Sequence, residues 1–183
     1  MKKLFMALLL MAGMFTLASC DDDPAEGEAK TIYQFFLTAN DQAKNLLEMK
    51  FSSSGSGATM ITLLSTVKDN DDLYSSNGRH FTGKIPSWMV AIVQCKLKED
   101  AQLTEEKYVI DLRLTSKVVT YDENGNMMSK KNYISTWSLK DKQFTKAELQ
   151  AYFGESKSIT IDGQSKEDGS IEPYDTKDTQ EYK

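Results

Sequence analysis

The strongest constraint on the fold is a long hairpin between residues 107 and 139. Apolar and polar side chains alternate along its first half, which is the pattern of a strand with one buried face. The inward series comprises Tyr108, Ile110, Leu112 and Leu114, and the opposite face carries Asp111, Arg113 and Thr115. Asn124-Gly125 then favours a tight turn, because both residue types tolerate positive φ. Residues 127–139 are predicted to return as the partner strand.

Shorter runs of the same kind predict a mainly β domain. Leu47, Met49 and Phe51 alternate with polar neighbours, and residues 59–67 form a second apolar run that suggests a hairpin with the first. Residues 88–97 carry apolar side chains on both faces, which is typical of a central strand. We therefore expect a β-sandwich or an antiparallel β-rich α+β domain.

One short helix is predicted near the C-terminus. Thr145 is followed three residues later by Glu148, which is the spacing of a capping box, and Gly154 follows as a stop signal. The apolar face between these signals comprises Leu149, Tyr152 and Phe153.

Charge and cysteine content limit the possible functions. The 183-residue chain has a formal net charge of −5. This balance disfavours nucleic-acid binding, which requires a basic patch that neutralises several phosphates. If Cys20 carries lipid, as argued below, Cys95 has no partner for a disulfide bond. Cys95 lies in the alternating run of residues 88–97, so we expect a buried, unreactive thiol.

The N-terminus carries an export signal. Two lysines at positions 2 and 3 precede an apolar run, residues 4–18, that is short for a membrane-spanning helix. The run ends in Leu17-Ala18-Ser19-Cys20, which three acidic residues follow at once: Asp21, Asp22 and Asp23. Residues 1–19 are therefore predicted to be a signal peptide. Residues 20–30 contain no large apolar side chain after the cysteine and are predicted to be an acidic tether.

This segment resembles the lipobox of bacterial lipoproteins. The resemblance implies that the signal peptide is removed before Cys20 and that lipid on this cysteine attaches the protein to a membrane. The run Asp21-Asp22-Asp23 resembles the export signal of surface lipoproteins of Bacteroidota, which implies a position on the outer face of the outer membrane. The sorting rule of enterobacteria would instead treat an aspartate after the cysteine as a signal for retention at the inner membrane.

The body of the chain is similar to small lipoprotein domains of Bacteroidota. The matching segments are Tyr33-Gln34-Phe35, Ile85-Pro86-Ser87, Tyr108, Asn124-Gly125 and Lys146-Ala147-Glu148-Leu149. The resemblance implies a β-sandwich-like domain but supplies no activity. We assign the globular domain to residues 31–163. Residues 164–183 are polar and acidic and are predicted to form a flexible tail.

The sequence offers few groups for catalysis. His80 is the only histidine, and no Gly-x-Ser-x-Gly nucleophile motif is present. One histidine and one remaining thiol are too few for a typical zinc site, so neither a metal nor another cofactor is predicted. Residues 69–72 are acidic but lack the glycine and terminal glutamate of a calcium-binding loop. Pairs of carboxylates remain available for glycoside hydrolysis, which keeps a carboxylate-dependent hydrolase as the alternative function.

Two kinds of residue are candidates for binding. The rings of Trp88 and Trp137 are suited to stacking on sugars, but each tryptophan stands among apolar neighbours and is predicted to fill core volume. Residues 68–83 form a long polar segment, and rigid β scaffolds commonly carry recognition residues on loops. We therefore expect Asp71, Asp72 and His80 to contact a glycan or an envelope protein.

Together these features predict a lipid-anchored outer-membrane protein that faces the cell exterior. Its predicted role is binding or envelope assembly without catalysis.

Overall fold

The computed structural model describes residues 27–56, 62–130 and 132–174, and within them two sheets and two short α-helices. The elements in chain order are β1 (Lys30–Ala39), α1 (Asp41–Leu46), β2 (Leu47–Gly55), β3 (Thr62–Thr66), a 3-10 helix (Asp72–Tyr74), β4 (Arg79–Lys84), β5 (Ser87–Leu97), β6 (Tyr108–Tyr121), β7 (Tyr133–Phe144), α2 (Lys146–Phe153), β8 (Lys157–Ser165) and β9 (Ile171–Glu172).

The strands form two antiparallel sheets. The four-stranded sheet has the order β4-β1-β6-β7, and the five-stranded sheet has the order β3-β2-β5-β8-β9. Their apolar faces pack against each other around one core, to which β1, β2, β5, β6 and β8 contribute most of the buried side chains. The predicted mainly β, sandwich-like fold with a short C-terminal helix is therefore confirmed. Within the described residues, no helix is long and apolar enough to cross a membrane.

The β6–β7 hairpin has the predicted faces but a different second strand. Leu112 is fully buried, whereas Arg113 next to it is exposed. The turn contains Gly125 at φ +78°, as the Asn-Gly step predicts. However, β7 begins at Tyr133 rather than at residue 127 and continues to Phe144. The chain leaves the hairpin after the isolated bridge between Tyr121 and Met127, and it joins β6 again only opposite Val118.

Two other predictions about strands are supported. β5 lies between β2 and β8 in the five-stranded sheet, as predicted for a central strand. Cys95 on this strand is fully buried, and burial raises the pKa of its thiol to about 12. The thiol therefore stays protonated at neutral pH, as expected for an unreactive cysteine.

The C-terminal boundary of the domain lies further along the chain than predicted. β8 continues to Ser165, and Ile171–Glu172 adds a short edge strand whose register pairs Gln164 with Glu172. Ser165 is buried, and its hydroxyl accepts a hydrogen bond from Thr31 Oγ1 on the opposite sheet, at 2.6 Å. Residues 164–174 therefore belong to the sandwich rather than to a tail. The remainder of the predicted tail, residues 175–183, lies outside the described residues.

A buried polar cluster joins the two sheets near the start of β1. Besides the contact between Thr31 and Ser165, the hydroxyl groups of Tyr33 and Ser87 lie 3.0 Å apart. Burial raises the pKa of Tyr33 to about 12, so its phenol remains neutral and can donate a hydrogen bond. Each hydroxyl thus has a partner in an otherwise apolar layer, which avoids the cost of burying an unpaired polar group.

Strand register defines two ends of the sandwich. At one end β1 begins at Lys30, opposite Lys84 of β4 and Tyr121 of β6. At the other end β1 finishes at Ala39, opposite Leu112. We call the first the entry end, because the N-terminal segment leads into β1 there, and the second the distal end.

The distal end is covered by α1. Asn40 caps this helix, because its Oδ1 accepts a hydrogen bond from the N–H of Ala43 at 3.0 Å. The Nδ2 group of Asn40 donates to the carbonyl of Val109 at 2.8 Å, which ties the helix to β6. At the same end α2 follows β7, and the capping box of Thr145 and Glu148 is formed as the sequence predicts.

Candidate functional site

The predicted contact residue Asp71 has a structural role. Its Oδ1 accepts a hydrogen bond from the N–H of Leu73 at 3.0 Å and so caps the 3-10 helix. Both carboxylate oxygens also lie 2.7 Å from Nη2 of Arg79, whose guanidinium stands 4.8 Å from the centroid of the Phe51 ring. Two groups of the same domain therefore engage this side chain, the N–H of Leu73 and the guanidinium of Arg79, and contact between Asp71 and a partner stays a prediction.

Asp71→Ala is expected to lower the free energy of unfolding by about 1–3 kcal/mol, because it removes a cap and leaves a partly buried guanidinium unpaired. Asp72→Ala is the matched control. Asp72 is exposed, so its removal is expected to change stability by no more than about 0.5 kcal/mol. Urea denaturation of both variants measures the difference, and equal effects would show that the pair of Asp71 and Arg79 is unimportant.

The other two predicted contact residues are exposed but do not meet in a cavity. Asp72 begins the 3-10 helix. His80 lies on the outward face of β4, where its Nε2 is 3.3 Å from Nε2 of Gln34. Neither residue lines either of the two cavities described below. Within the segment of residues 68–83, the part from Arg79 onward belongs to strand β4 (Arg79–Lys84), which lies beside β1.

Three residues of this segment border a cavity: Lys68, Asp69 and Tyr74. A cavity of about 300 Å³ opens at the distal end of the sandwich. Its walls come from α1, the start of β2, the end of β3 and the residue after β5. We call it the distal cavity, and its lining includes Lys44, Glu48, Lys68, Asp69, Tyr74 and Lys98.

Two lysines of the distal cavity are held in place by the end of α1. Lys98 follows β5, and its N–H donates to the carbonyl of Leu46 at 2.9 Å. Its ammonium group donates to the carbonyl of Lys44 at 2.7 Å. The ammonium group of Lys44 in turn lies 4.4 Å from the centroid of the Tyr74 ring, which is cation–π distance. The fold therefore brings two cations and an aromatic ring to one side of the cavity.

Tyr74 is the neutral member of this group. Its hydroxyl donates to the sulfur of Met49 at 3.7 Å. Burial raises the pKa of the Tyr74 phenol above its usual value, and the negative charge of Asp69 raises it further. The phenol therefore remains protonated at physiological pH.

The charges that line the distal cavity are mainly positive. Within the described residues, none of the three lysines has a carboxylate within 4.0 Å. Of the two acids in the lining, Glu48 is engaged by Lys50, with Oε1 and Nζ 3.1 Å apart. Asp69 has no ion pair within the same part of the chain. The cavity is therefore basic in a chain whose net charge is negative.

The structure separates the two tryptophans. Trp137 is half-buried and packs against the core, as predicted. The prediction for Trp88 is wrong, because its neighbours Ser87 and Met89 point inward and Trp88 therefore points outward. One ring face is covered by Tyr174, with centroids 4.7 Å apart and planes inclined by 13°. Apolar residues on both faces of β5 concealed this orientation in the sequence.

The described residues contain no group of three or more His, Cys, Asp or Glu side chains that could hold a metal ion. Cys20, Asp21, Asp22 and Asp23 lie outside the described residues. Comparison of the chain with protein-family models, with curated proteins and with solved structures gave no match.

Proposed function

We propose that this protein is a lipid-anchored binding protein of the outer membrane that faces the cell exterior and captures an anionic glycan in the distal cavity. The lipobox ending at Cys20 and the acidic run after it support the anchor and its location. In this arrangement the entry end points toward the membrane, because the tether leads into β1 at Lys30. The distal end, with its cavity, then points away from the membrane and toward external ligands.

The observation that carries this proposal is the convergence of three lysines on one cavity. An ammonium group that lacks a carboxylate partner is available to bind an anion, and hydrogen bonds between charged groups are stronger than those between neutral ones. The ring of Tyr74 adds apolar surface beside these cations, which suits the C–H face of a sugar. A glycan that carries carboxylate or sulfate groups satisfies both features.

The double variant Lys44→Met/Lys98→Met tests this site. It keeps most of the side-chain volume and removes two charges, so the Kd for an acidic oligosaccharide is expected to rise at least about tenfold, the equivalent of 1.4 kcal/mol. Calorimetric titration of the detergent-solubilised protein with polygalacturonate and heparin oligosaccharides measures the change. The wild-type affinity should also fall as salt is added, because the contacts are ionic.

The matched control is Lys117→Met/Lys140→Met, which removes two lysines from the outward faces of β6 and β7. It is expected to leave the Kd nearly unchanged. If both double variants weaken binding equally, the effect comes from net charge and not from the cavity. If the wild-type protein binds neither acidic oligosaccharide, the proposed ligand class is wrong.

One observation favours hydrolysis as a second candidate. Glu48 and Asp69 both line the distal cavity, and glycoside hydrolysis uses two carboxylates in one cleft. The ion pair with Lys50 counts against Glu48 as a catalytic group. If the wild-type protein hydrolyses an acidic oligosaccharide and both Glu48→Gln and Asp69→Asn abolish this turnover, the protein is a hydrolase and not only a binding protein.

A further inference from the structure

A second and larger cavity lies between the edges of the two sheets. It has a volume of about 630 Å³ and is bordered by the chain before β7 on one side and by the β8–β9 turn on the other. Its position is toward the entry end, because Tyr133 in its wall pairs with Val118 and because Ser165, where β8 ends, contacts Thr31. We call it the seam cavity.

Direct contacts hold the two walls of the seam cavity together. Thr120 Oγ1 donates to the carbonyl of Gly169 in the β8–β9 turn at 2.6 Å, and the N–H of Met128 donates to the carbonyl of Thr120 at 2.9 Å. Gly169 has φ +77°, and a Cβ atom there would lie 2.8 Å from the side chain of Met128. A glycine is therefore required where the turn packs against the opposite wall.

The groups that line this cavity are suited to hydrogen bonding with a neutral ligand. They include the amide of Asn132, the phenol of Tyr133 and the hydroxyl of Ser170. Asp168 is oriented, because its Oδ1 accepts hydrogen bonds from Oγ and N–H of Ser170 at 2.6 and 2.9 Å. These bonds hold the pKa of Asp168 below its usual value, so it is ionised at neutral pH.

The charges in the lining balance, and part of the wall is apolar. Lys130 provides one positive charge against the negative charge of Asp168. Met128 and Ile171 provide apolar surface beside the polar groups. A volume of about 630 Å³ lies within the range of small-molecule sites. The amide, hydroxyl and carboxylate groups, together with the apolar wall, can contact both the polar and the apolar surface of such a molecule. The distal cavity differs, because its lining is mainly cationic.

The wall also contains a hydroxyl group without a partner. Ser129 is only 7% exposed, and its Oγ forms no hydrogen bond within the described part of the chain. A buried hydroxyl that lacks a partner destabilises the folded protein, so such groups are rare. Ser129 lines the seam cavity, and a ligand there would supply the missing partner if the side chain rotated about χ1.

We propose that the seam cavity is a second binding site and that its ligand is a neutral saccharide. Sugar hydroxyls can both donate and accept hydrogen bonds, which matches the mixture of donors and acceptors in the wall. Met128 and Ile171 contact the apolar face of the sugar ring. The site does not depend on the distal cavity, which lies at the other end of β1.

Ser129→Ala is the decisive variant, because a binding role and a structural role predict opposite results. If the hydroxyl serves a ligand, its removal raises the Tm of the free protein by about 2–4 °C and weakens saccharide binding about three- to tenfold. Ser116→Ala is the matched control. Ser116 is fully buried, and its Oγ also has no partner in the described residues, but it does not line the cavity. Its removal should raise the Tm and leave binding unchanged.

The experiment uses the full-length lipoprotein in a detergent without a sugar headgroup, since maltoside or glucoside detergents would compete for the site. Neutral di- and tetrasaccharides of glucose, mannose, galactose and N-acetylglucosamine are titrated in solution. The same sugars are also presented as glycolipid headgroups in vesicles. Binding only in solution identifies free oligosaccharides as the source, and binding only to vesicles identifies surface glycolipids; either result supports the proposal.

A second pair of variants tests the seam cavity at an exposed residue, where substitution should not impair folding. Asn132 is exposed and forms no side-chain hydrogen bond with another described residue, so Asn132→Ala should fold normally and bind saccharide about three- to tenfold more weakly. Asn45→Ala, which changes an exposed residue of α1, should bind like the wild-type protein. If the Lys44→Met/Lys98→Met variant still binds neutral saccharides, the seam cavity binds them independently of the distal cavity. Absence of binding in both presentations, or a lower Tm in Ser129→Ala, would overturn the proposal.

Discussion

Leu112→Ala is expected to lower the free energy of unfolding by about 2–5 kcal/mol. Leu112 is fully buried on the inward face of β6, a central strand of the four-stranded sheet. Truncation to alanine removes apolar contacts and leaves a cavity that the packed sheets cannot easily fill. Urea denaturation of the full-length protein measures the change as a lower midpoint with an unchanged m-value.

The neighbouring substitution Arg113→Ala provides the control. Arg113 is exposed on the opposite face of the same strand, so we expect a change within about 0.5 kcal/mol. The two substituted residues are adjacent in the chain but lie on opposite faces of the sheet. Comparable losses for both would mean that the assigned register of β6 is wrong.

Cys20→Ala is expected to abolish membrane attachment almost completely. The lipobox resemblance implies that Cys20 carries more than one acyl chain, and two chains anchor a protein stably whereas one chain binds reversibly. Fractionation of cells into soluble and membrane pools measures the result. In the matched control Cys95→Ala, the protein should remain in the membrane pool, because Cys95 is a buried core residue. Full membrane retention of the Cys20→Ala protein would rule out the lipid anchor.

Substitution of the three acidic residues after Cys20 distinguishes membrane anchoring from sorting to the cell surface. Replacement of Asp21, Asp22 and Asp23 by alanine should leave the protein in the membrane but remove its accessibility to protease on intact cells. Continued accessibility would place the export signal elsewhere in the chain. If the wild-type protein resists protease on intact cells, the domain faces the periplasm. External glycans are then not its ligands.

The two proposed sites lie toward opposite ends of one strand. β1 has ten residues, and a strand rises about 3.3 Å per residue, so the ends are separated by roughly 30 Å. If both sites act together, the distal cavity holds an anionic part of a glycan while the seam cavity holds a neutral part. A long polysaccharide that spans both sites should then bind more tightly than either fragment, because the second contact is intramolecular.

The sequence alone predicted those features that depend on neighbours along the chain. Alternation identified which face of β6 is buried, since successive side chains on a strand point to opposite faces. The spacing of Thr145 and Glu148 predicted the start of α2. The position of Cys95 among apolar residues predicted its burial. Each of these signals lies within about ten residues, so no knowledge of the other strands is needed to interpret it.

The tertiary structure decided which distant residues meet. Lys44, Tyr74 and Lys98 come from α1, the 3-10 helix and the end of β5, and no spacing in the sequence marks them as one site. Asp71 is paired with Arg79, and the outward ring of Trp88 stacks on Tyr174, although neither contact has a signal in the sequence. Alternation along a strand is a local property, whereas sheet order and the packing of chain ends depend on contacts between segments far apart in sequence. The fold class was therefore available from the sequence, but both cavities required the arrangement of the two sheets.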